Sequence, residues 1–505
     1  MKKEKDWFKD RGYPHFSNKT PISIRKNIEN YVSNPTKVAK HSFLPLLFKE
    51  IKQRRYKESL INGVLKRSHK KIENGKLVSN TKVRNIMYAT HIDAQIYSYY
   101  TKKIITPKYE AYLSTNELLS NSISAYRQIK TNDGLKFKNN VHFAKDVFEE
   151  IRRRQNCVSL VLDIENFFPT LNHKHLKLAW AKILKRKSLP KDHFNLFKAT
   201  TSFSYVKLND LKTKNGHFDE KKLSLYKKAG KNTFFENIKE LIDSGIIIHK
   251  NQKKNQNKQI IGIPQGLPTS ALLANIYMLD FDISIINELT LKHDVFYRRY
   301  SDDIIVLCKE NQIEFVENFI KNEIEKIELK VSLEKTEKTL FKLYNGKLQS
   351  FRITNENELK ENVPLNYLGF EFYGYQTLIK SKNLASFYRE MKQAVKRKHK
   401  RVERIKEKYL LDAAPLFKRK LYRLYSFKGV KSRNLPAKRT TYLNGKAVTT
   451  KFERKFRGNY LKYIYNASEE LNAPEIKRQV RNHWKILKNT MCKYDFSNVT
   501  NVSKK

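Results

Sequence analysis

Cysteine is scarce in this sequence. The chain of 505 residues has three cysteines, Cys157, Cys308 and Cys492, which lie far apart. This usage suits a reducing compartment and offers no paired spacing for zinc. The 13 histidines form no H-x₃₋₅-H arrangement near a cysteine pair. We therefore expect any metal site to be built from carboxylates.

Acidic residues are half as frequent as basic ones. The sequence has 50 Asp and Glu against 102 Lys and Arg, which gives a formal net charge of +52. Codon bias can explain many of the Lys, Asn and Ile residues, but it does not by itself explain the shortage of acids. An excess of this size repels itself in a compact chain unless a polyanion screens it. The charge balance therefore indicates a nucleic-acid partner.

Long hydrophobic runs are also absent. No stretch approaches the apolar length of a membrane-spanning helix, and the opening MKKEKDWFKDRGYPHF has no apolar core behind its basic residues. We expect a cytoplasmic protein without membrane contact. The 40% hydrophobic and 12% aromatic content can still fill packed cores, so two or three folded units are expected rather than disorder.

Two apolar segments carry acids at defined places. VSLVLDIENFFPTL (158–171) reads as a buried strand that ends on Asp163, and FYRRYSDDIIVL (296–307) places Asp302 and Asp303 between two strand halves. Alone, either could be structural, because aspartate is common in turns and helix caps. Together they suit a pair of magnesium ions about 4 Å apart, as phosphoryl transfer to a growing nucleic-acid strand requires.

Five segments in order resemble the motifs of reverse transcriptases. YSDD resembles the family's Y-x-D-D box, and DIENFFP resembles its first palm motif. The others are PQGLPTS (264–270), similar to the P-Q-G loop, SLEKTE (332–337), similar to the lysine-bearing motif, and NYLGF (366–370), similar to the primer grip. The match covers roughly residues 80–375. Each motif alone would be much less specific than the ordered set.

The resemblance implies metal and nucleotide sites. Two magnesium ions, or manganese in their place, would be held at Asp163, Ile164 and Asp302, with Asp303 as a less direct third acid. Phe168 falls where the family keeps a steric gate, so deoxynucleotides should be preferred; a core aromatic is the alternative interpretation. This ring is also the main argument against an RNA polymerase of the same palm type.

Further positions are implied along the nucleotide and primer path. Gln265 and Gly266 would lie against the template base and incoming nucleotide, where backbone must approach closely. Lys82 and Arg84 resemble cations that grip the triphosphate, although with 102 basic residues they could equally be ordinary surface cations. Lys335 is a candidate proton donor to pyrophosphate. The primer-grip residues would be Tyr367, Leu368 and Gly369.

The resulting fold is an α+β right-hand polymerase: fingers, a palm whose antiparallel sheet packs on helices, and a helical thumb. We assign residues 1–80 to an N-terminal extension of small helices and loops, and 81–155 to the fingers. The palm takes 156–375, with a helical insertion at about 172–258, and the basic helical thumb and C-terminal RNA-binding extension take 376–505.

The C-terminal region is basic with interleaved aromatics, which suits RNA backbones and unstacked bases. We expect Lys396, Arg397, Lys400 and Arg401 to bind RNA. The alternative is a helical thumb whose aromatics are simply core.

The subfamily is less sharply marked. WFKDRGYPHF and SISAYR (122–127) are similar to segments of stand-alone, defence-associated bacterial reverse transcriptases, which implies anti-phage defence. Expected partners are a structured non-coding RNA as template or scaffold, deoxynucleotides and a DNA product, with a homo-oligomer as one arrangement. Three alternatives stay open: a retron-type enzyme making an RNA–DNA hybrid, although its V-T-G triplet is missing from residues 375–505; template-independent DNA synthesis; and a catalytically silent RNA-binding scaffold.

Overall fold

The structure is a computed structural model that describes residues 6–9, 15–16, 24–61, 64–73, 75–212, 233–354, 358–412, 418–443 and 446–494. The strands are β1 Leu46–Arg54, β2 Lys57–Ile61, β3 Val64–Ser68, β4 Lys70–Glu73, β5 Lys76–Ser79, β6 Thr81–Tyr88, β7 Cys157–Asp163, β8 Ser204–Lys207, β9 His249–Lys250, β10 Phe296–Tyr300, β11 Asp303–Cys308, β12 Glu337–Tyr344, β13 Lys347–Ile353, β14 Leu359–Glu361, β15 Leu365–Tyr367, β16 Phe370–Phe372, β17 Thr377–Ile379, β18 Arg433–Leu443 and β19 Lys446–Phe456.

The α-helices surround these strands. They are α1 Arg25–Val32, α2 Pro35–Ala39, α3 His91–Tyr99, α4 Thr106–Leu113, α5 Glu117–Ser122, α6 Asn140–Arg154, α7 Phe167–Thr170, α8 His173–Ile183, α9 Lys191–Thr201, α10 Ile238–Asp243, α11 Ser270–Tyr277, α12 Leu279–Ile285, α13 Leu291–His293, α14 Ile313–Lys326, α15 Ser381–Tyr409, α16 Arg419–Tyr425, α17 Tyr460–Glu470, α18 Pro474–Arg478 and α19 His483–Cys492. None of the helices in the described ranges is long and apolar enough to cross a membrane.

The palm is an antiparallel six-stranded sheet in the order β10-β11-β7-β12-β13-β14. Both faces of its centre are buried. Along β11, Ile304 and Val306 face one hydrophobic core, whereas Ile305 and Leu307 face a second core on the other side. Because side chains alternate across a strand, a strand covered on both faces is apolar at nearly every position. The predicted α+β class and the predicted strands at 158–163 and 296–308 are confirmed.

The fingers contain a second sheet, in the order β6-β1-β8-β9. β1 pairs with β6 from Leu47 to Arg54, and the predicted boundary at residue 80 therefore passes through this sheet. The expectation of small helices and loops throughout 1–80 was wrong for residues 46–79. Only Leu46 and Leu47 of β1 are buried, and the exposed, charged remainder hides the strand pattern in the sequence.

The segment 172–258 is not purely helical. Helices α8 and α9 come first, and Leu176 and Trp180 of α8 enter the main core. The chain then returns to the fingers, where β8 pairs in parallel with β1 and β9 pairs with β8. This segment therefore joins the palm to the fingers sheet.

The thumb begins with α15, a helix of 29 residues that includes the Lys- and Arg-rich run 389–408. Phe387, Met391, Val395 and Val402 form its buried stripe, with spacings that keep them on one face. The four predicted RNA-binding residues, Lys396, Arg397, Lys400 and Arg401, are exposed on the rest of the helix.

A long hairpin interrupts the region that we expected to be helical throughout. Strands β18 and β19 pair over 11 residues each. The prediction of a helical thumb to residue 505 was wrong here. The sequence did contain a hairpin indication, Asn444-Gly445 between two segments with β-branched residues (RTTYL and KAVTT), but the density of Lys and Arg obscured it.

Candidate active site

Three aspartates meet at one edge of the palm sheet. Asp163 is the last residue of β7, and its register partner on β11 is Asp303. Residues paired in register on antiparallel strands share a face of the sheet. The amide of Ile164 donates to the carbonyl of Asp302 at 3.2 Å, which joins the end of β7 to the turn between β10 and β11. The structure thus brings together the acids that the sequence predicted.

Crowding shifts the acidity of this group. Burial, followed by the charges of Asp302 and Asp163, raises the pKa of Asp303 to about 7. Burial also raises the pKa of Asp302, and the charge of Asp163 adds to that effect. The ammonium group of Lys335 donates to Oδ2 of Asp163. Carboxylates held this close are suited to a divalent cation, which would relieve their mutual repulsion.

Three of the four residues predicted to hold metal lie together at this edge of the sheet. Asp163, Ile164 and Asp302 line one cavity. Within the described part of the chain, no three His, Cys, Asp or Glu side chains converge closely enough to hold one ion. Magnesium commonly takes few carboxylates from a protein and its other oxygen ligands from phosphates and water, and the carboxylates of Asp163 and Asp302 fit that pattern.

The cavity between palm and fingers has a volume of about 1050 Å³. Besides the two acids, it brings together the predicted Lys82, Arg84, Phe168, Gln265 and Lys335. The cavity therefore contains both carboxylates and cations, a combination that suits a triphosphate with bound metal ions.

Sequence reasoning missed several residues of this cavity. Arg55 follows β1 and becomes part of the site only because β1 pairs with β6. Tyr126 and Lys253 also line the cavity, as do Tyr205 and His249, whose rings stack at 5.2 Å. The composition of the basic segment 249–259 gave no indication in the sequence that it borders the site.

Lys82 and Arg84 lie two residues apart on β6, so both project from the same face of the strand. Burial, and then the charges of Arg55, Arg84 and Lys335, lower the pKa of Lys82. Arg84 Nη1 donates to Oε1 of Gln53 at 3.3 Å. A cluster of cations that repel one another favours an anionic ligand, which supports the predicted role of this pair.

Phe168 is half-buried, packs against the main core and lines the cavity. Its carbonyl accepts from the amide of Ile263 at 2.9 Å, which fixes the turn after Asp163 against the segment that leads to Pro264. Two interpretations of this ring follow from the sequence, a steric gate beside the nucleotide and a core aromatic. In the structure the ring both packs against the core and borders the cavity.

The P-Q-G loop packs against the fingers sheet. The backbone carbonyl of Gln265 accepts a hydrogen bond from the amide of Met87 at 2.8 Å. Gly266 has φ +118°, and a Cβ at this position would lie 2.6 Å from the carbonyl oxygen of Met87. The close backbone approach expected at Gly266 is therefore present, and in this structure it is made to strand β6.

Arg299, which was not identified from the sequence, hydrogen-bonds to the turn that carries Asp302 and Asp303. It is fully buried and donates to both carboxylate oxygens of Asp282, to Asn275 Oδ1 and to the carbonyl of Ser301. Ser301 has φ +64°, a left-handed conformation that is unusual for a side chain with Cβ. The inward position of Arg299 on β10, two residues after the buried Tyr297, could have indicated a buried partner.

The predicted primer-grip residues form the tight connection between β15 and β16. Leu368 and Gly369 both have positive φ, and the Leu368 carbonyl accepts from Asn140 Nδ2 at 3.2 Å. Tyr367 is buried, and burial and then the charge of Asp303 raise the pKa of its phenol. Leu368 and Gly369 are half-buried, so the backbone of this turn is more accessible than the Tyr367 ring.

Comparison with known proteins agrees with this geometry. Residues 218–372 match the family described as reverse transcriptase (RNA-dependent DNA polymerase). The chain contains a reverse transcriptase domain. The matched residues of this domain include Asp302, Asp303 and the P-Q-G loop, whereas Asp163 precedes them. No curated protein matches the chain.

Solved telomerase structures are similar to the chain at low identity. Apo telomerase from Candida tropicalis, truncated from the C-terminal domain, is 12% identical and has a TM-score of 0.37; the match covers 72% of this chain and 63% of that one. Telomerase from Candida albicans in complex with a TWJ fragment of telomeric RNA is 13% identical and has a TM-score of 0.35, with 75% and 55% covered. The chain thus covers less than two thirds of the length of these telomerase chains.

Proposed function

We propose that this protein is an RNA-directed DNA polymerase. The observation that carries the proposal is the meeting of Asp163 with the Asp302–Asp303 turn beside a basic cavity that Phe168 also lines. The family match over residues 218–372 supports the same activity.

Each residue of the site has a separate role in nucleotide addition. Lys82 and Arg84 bind and orient the triphosphate of the incoming nucleotide. Phe168 occupies the space beside the sugar and excludes a ribose 2′-hydroxyl. Lys335 holds a proton on its ammonium group next to Asp163, from which pyrophosphate can be protonated. Divalent ions bound at Asp163 and Asp302 would supply activation of the 3′-hydroxyl and stabilisation of the leaving group.

The test is synthesis on a defined template. The full chain should incorporate labelled dTTP on poly(rA) primed with oligo(dT) in the presence of Mg²⁺. Replacing Asp302→Ala together with Asp303→Ala should abolish incorporation and leave RNA binding nearly intact. A matched control, Asp280→Ala with Asp243→Ala, removes two exposed aspartates and should keep full activity. Synthesis by the first double variant would show that the site is assigned wrongly.

We further propose a biological setting for this activity. The enzyme acts in the bacterial cytoplasm, in anti-phage defence, and copies an associated structured non-coding RNA, with assembly of several copies as one arrangement. The support is the similarity of WFKDRGYPHF and SISAYR to defence-associated enzymes, together with the net charge of +52.

Sequencing the RNA and DNA that co-purify from cells expressing the native locus tests this setting. One abundant structured RNA with complementary DNA is the expected result. An RNA–DNA hybrid with a branch would favour the retron-type alternative, and DNA without a matching RNA would favour template-independent synthesis. RNA without any DNA product would favour the silent scaffold.

A further inference from the structure

The hairpin β18–β19 is a two-stranded ribbon attached to the thumb. Each strand has 11 residues, so the ribbon is about 35 Å long at roughly 3.3 Å per residue. It forms a sheet of its own in the described part of the chain. Most of the side chains described along it are exposed. We call residues 433–456 the basic arm.

The pairing register places lysines together on one face of the basic arm. Lys438 lies directly opposite Lys451, and Lys455 lies four residues further along the same strand, on the same face. All three are exposed. The acid on this face is Glu453, which accepts a hydrogen bond from Asn434 at 2.9 Å. One face of the arm thus carries three lysines spread over about 13 Å, with Glu453 between Lys451 and Lys455, and these four side chains together have a net positive charge.

This arrangement is unfavourable for the isolated protein. A two-stranded hairpin alone is marginally stable in water, and like charges directly across a strand pair destabilise it further. A polyanion lying along the lysine face would remove the repulsion. The electrostatic repulsion between the lysines of this face is therefore weakest when a chain of phosphates covers them.

The root of the basic arm is fixed to an aromatic and cationic part of the thumb. The guanidinium of Arg423 lies 5.5 Å from the ring centre of Phe456 at the end of β19. Nearby in the thumb, Trp484 packs against Tyr422 and Phe427, and the Lys428 ammonium lies 5.9 Å from the Trp484 ring. The thumb next to the root of the arm therefore adds cations and aromatic rings to this region.

We propose that the lysine face of the basic arm binds the phosphate backbone of structured RNA. The inference rests on the proposed function, because it gives the partner RNA a docking surface outside the nucleotide cavity. The contact is with phosphates, so it is independent of RNA sequence and depends strongly on salt. Lys438, Lys451 and Lys455 are its principal residues.

The test compares two triple variants of the full chain. The arm variant is Lys438→Gln, Lys451→Gln and Lys455→Gln. The control, Lys187→Gln, Lys309→Gln and Lys347→Gln, removes the same charge from exposed positions elsewhere. Dissociation constants are measured against two RNA stem-loops of unrelated sequence over a range of salt. Incorporation of dTTP on poly(rA) and oligo(dT) is measured in parallel.

The arm variant should bind both stem-loops roughly tenfold more weakly at about 150 mM salt, with a salt dependence reduced by about one unit of slope per lost phosphate contact. The control should bind like the wild type. Because Gln removes the Lys438–Lys451 repulsion, the thermal midpoint of the arm variant should not fall. A loss of binding that follows a fall in thermal midpoint would contradict a direct contact.

Other outcomes separate the hypotheses. If the wild type does not incorporate dTTP, the proposed polymerase activity fails, whatever the arm binds. If incorporation is normal and the arm variant binds both RNAs as tightly as the control does, the proposal for the arm is overturned. A change in oligomeric state on Phe452→Ser, which alters the opposite face, with RNA binding unchanged in the arm variant, would identify the arm as a contact between copies instead.

Discussion

Arg299 and Asp282 form a fully buried ion pair, with two hydrogen bonds of 2.7 and 2.6 Å, and Arg299 also holds the carbonyl of Ser301 at 3.1 Å. Burial disfavours the charged guanidinium, but Asp282 outweighs that effect, and the pKa of Arg299 is raised. The turn that carries Asp302 is thus tied to helix α12 through one side chain.

Breaking this pair should destabilise the protein and impair catalysis. Asp282→Asn leaves a buried guanidinium without its counter-ion, at an expected cost of about 3 to 5 kcal/mol in the free energy of unfolding. Chemical denaturation measures this cost. The control is Lys292→Gln, which breaks an exposed pair with Glu288 and should cost less than about 0.5 kcal/mol. Equal effects of the two changes would contradict the role of Arg299.

Phe168→Ala should relax the choice of sugar. Without the ring, a ribose 2′-hydroxyl meets no obstacle, and the preference for dTTP over UTP should fall by roughly tenfold to a hundredfold. The measurement is the ratio of kcat/KM for the two nucleotides on one template. Phe203→Ala is the control, because Phe203 also lines the cavity and contributes to the core. If Phe168 is only a core aromatic, both variants will keep the wild-type ratio.

Gly266→Ala should displace the P-Q-G loop from strand β6. The new Cβ would lie 2.6 Å from the Met87 carbonyl oxygen, on a backbone with φ +118°. We therefore expect the free energy of unfolding to fall by about 2 to 4 kcal/mol and the KM for nucleotide to rise. Gly346→Ala is the matched control. Gly346 also has a positive φ, of +72°, but no atom lies within 4 Å of the place that an added Cβ would take. The free energy of unfolding should therefore fall by only about 1 kcal/mol. Similar losses in both variants would show that the contact with Met87 is unimportant.

His15 should make stability depend on pH. Burial, and then the charge of His91, lower the pKa of His15 to about 3, whereas an unfolded histidine titrates near 6.5. The folded form therefore holds His15 neutral. The stabilisation that comes from a neutral His15 is fully present above about pH 6.5 and is lost as the pH falls toward 3. At pH 5 the free energy of unfolding should be lower by about 2 kcal/mol because of this group.

Thermal midpoints between pH 5 and pH 8 test this dependence. His15→Leu should flatten the decline on the acid side, and His293→Leu, which changes an exposed ring, should leave it as in the wild type. An unchanged acid slope in His15→Leu would mean that another group controls stability in this range.

Local sequence determined the catalytic strands. The apolar run that ends on Asp163, and the two apolar halves around Asp302 and Asp303, are each patterns of a few neighbouring residues, and both form the strands expected of them. The order of the motifs along the chain also supported the identification of a reverse transcriptase domain. For these features, nearby residues contain most of the physical information, because burial on both faces of a strand requires a continuous apolar run.

Tertiary structure alone decided the rest of the site. Arg55 joins the cavity because β1 finds its partner β6 more than 25 residues away, and Asp282 meets Arg299 only when α12 packs on the palm sheet. In both cases the deciding interaction joins residues that the chain separates, and its energy arises only once the two elements pack together. The basic arm is different, because it is a local hairpin whose strand pattern is obscured in the sequence by its Lys and Arg residues.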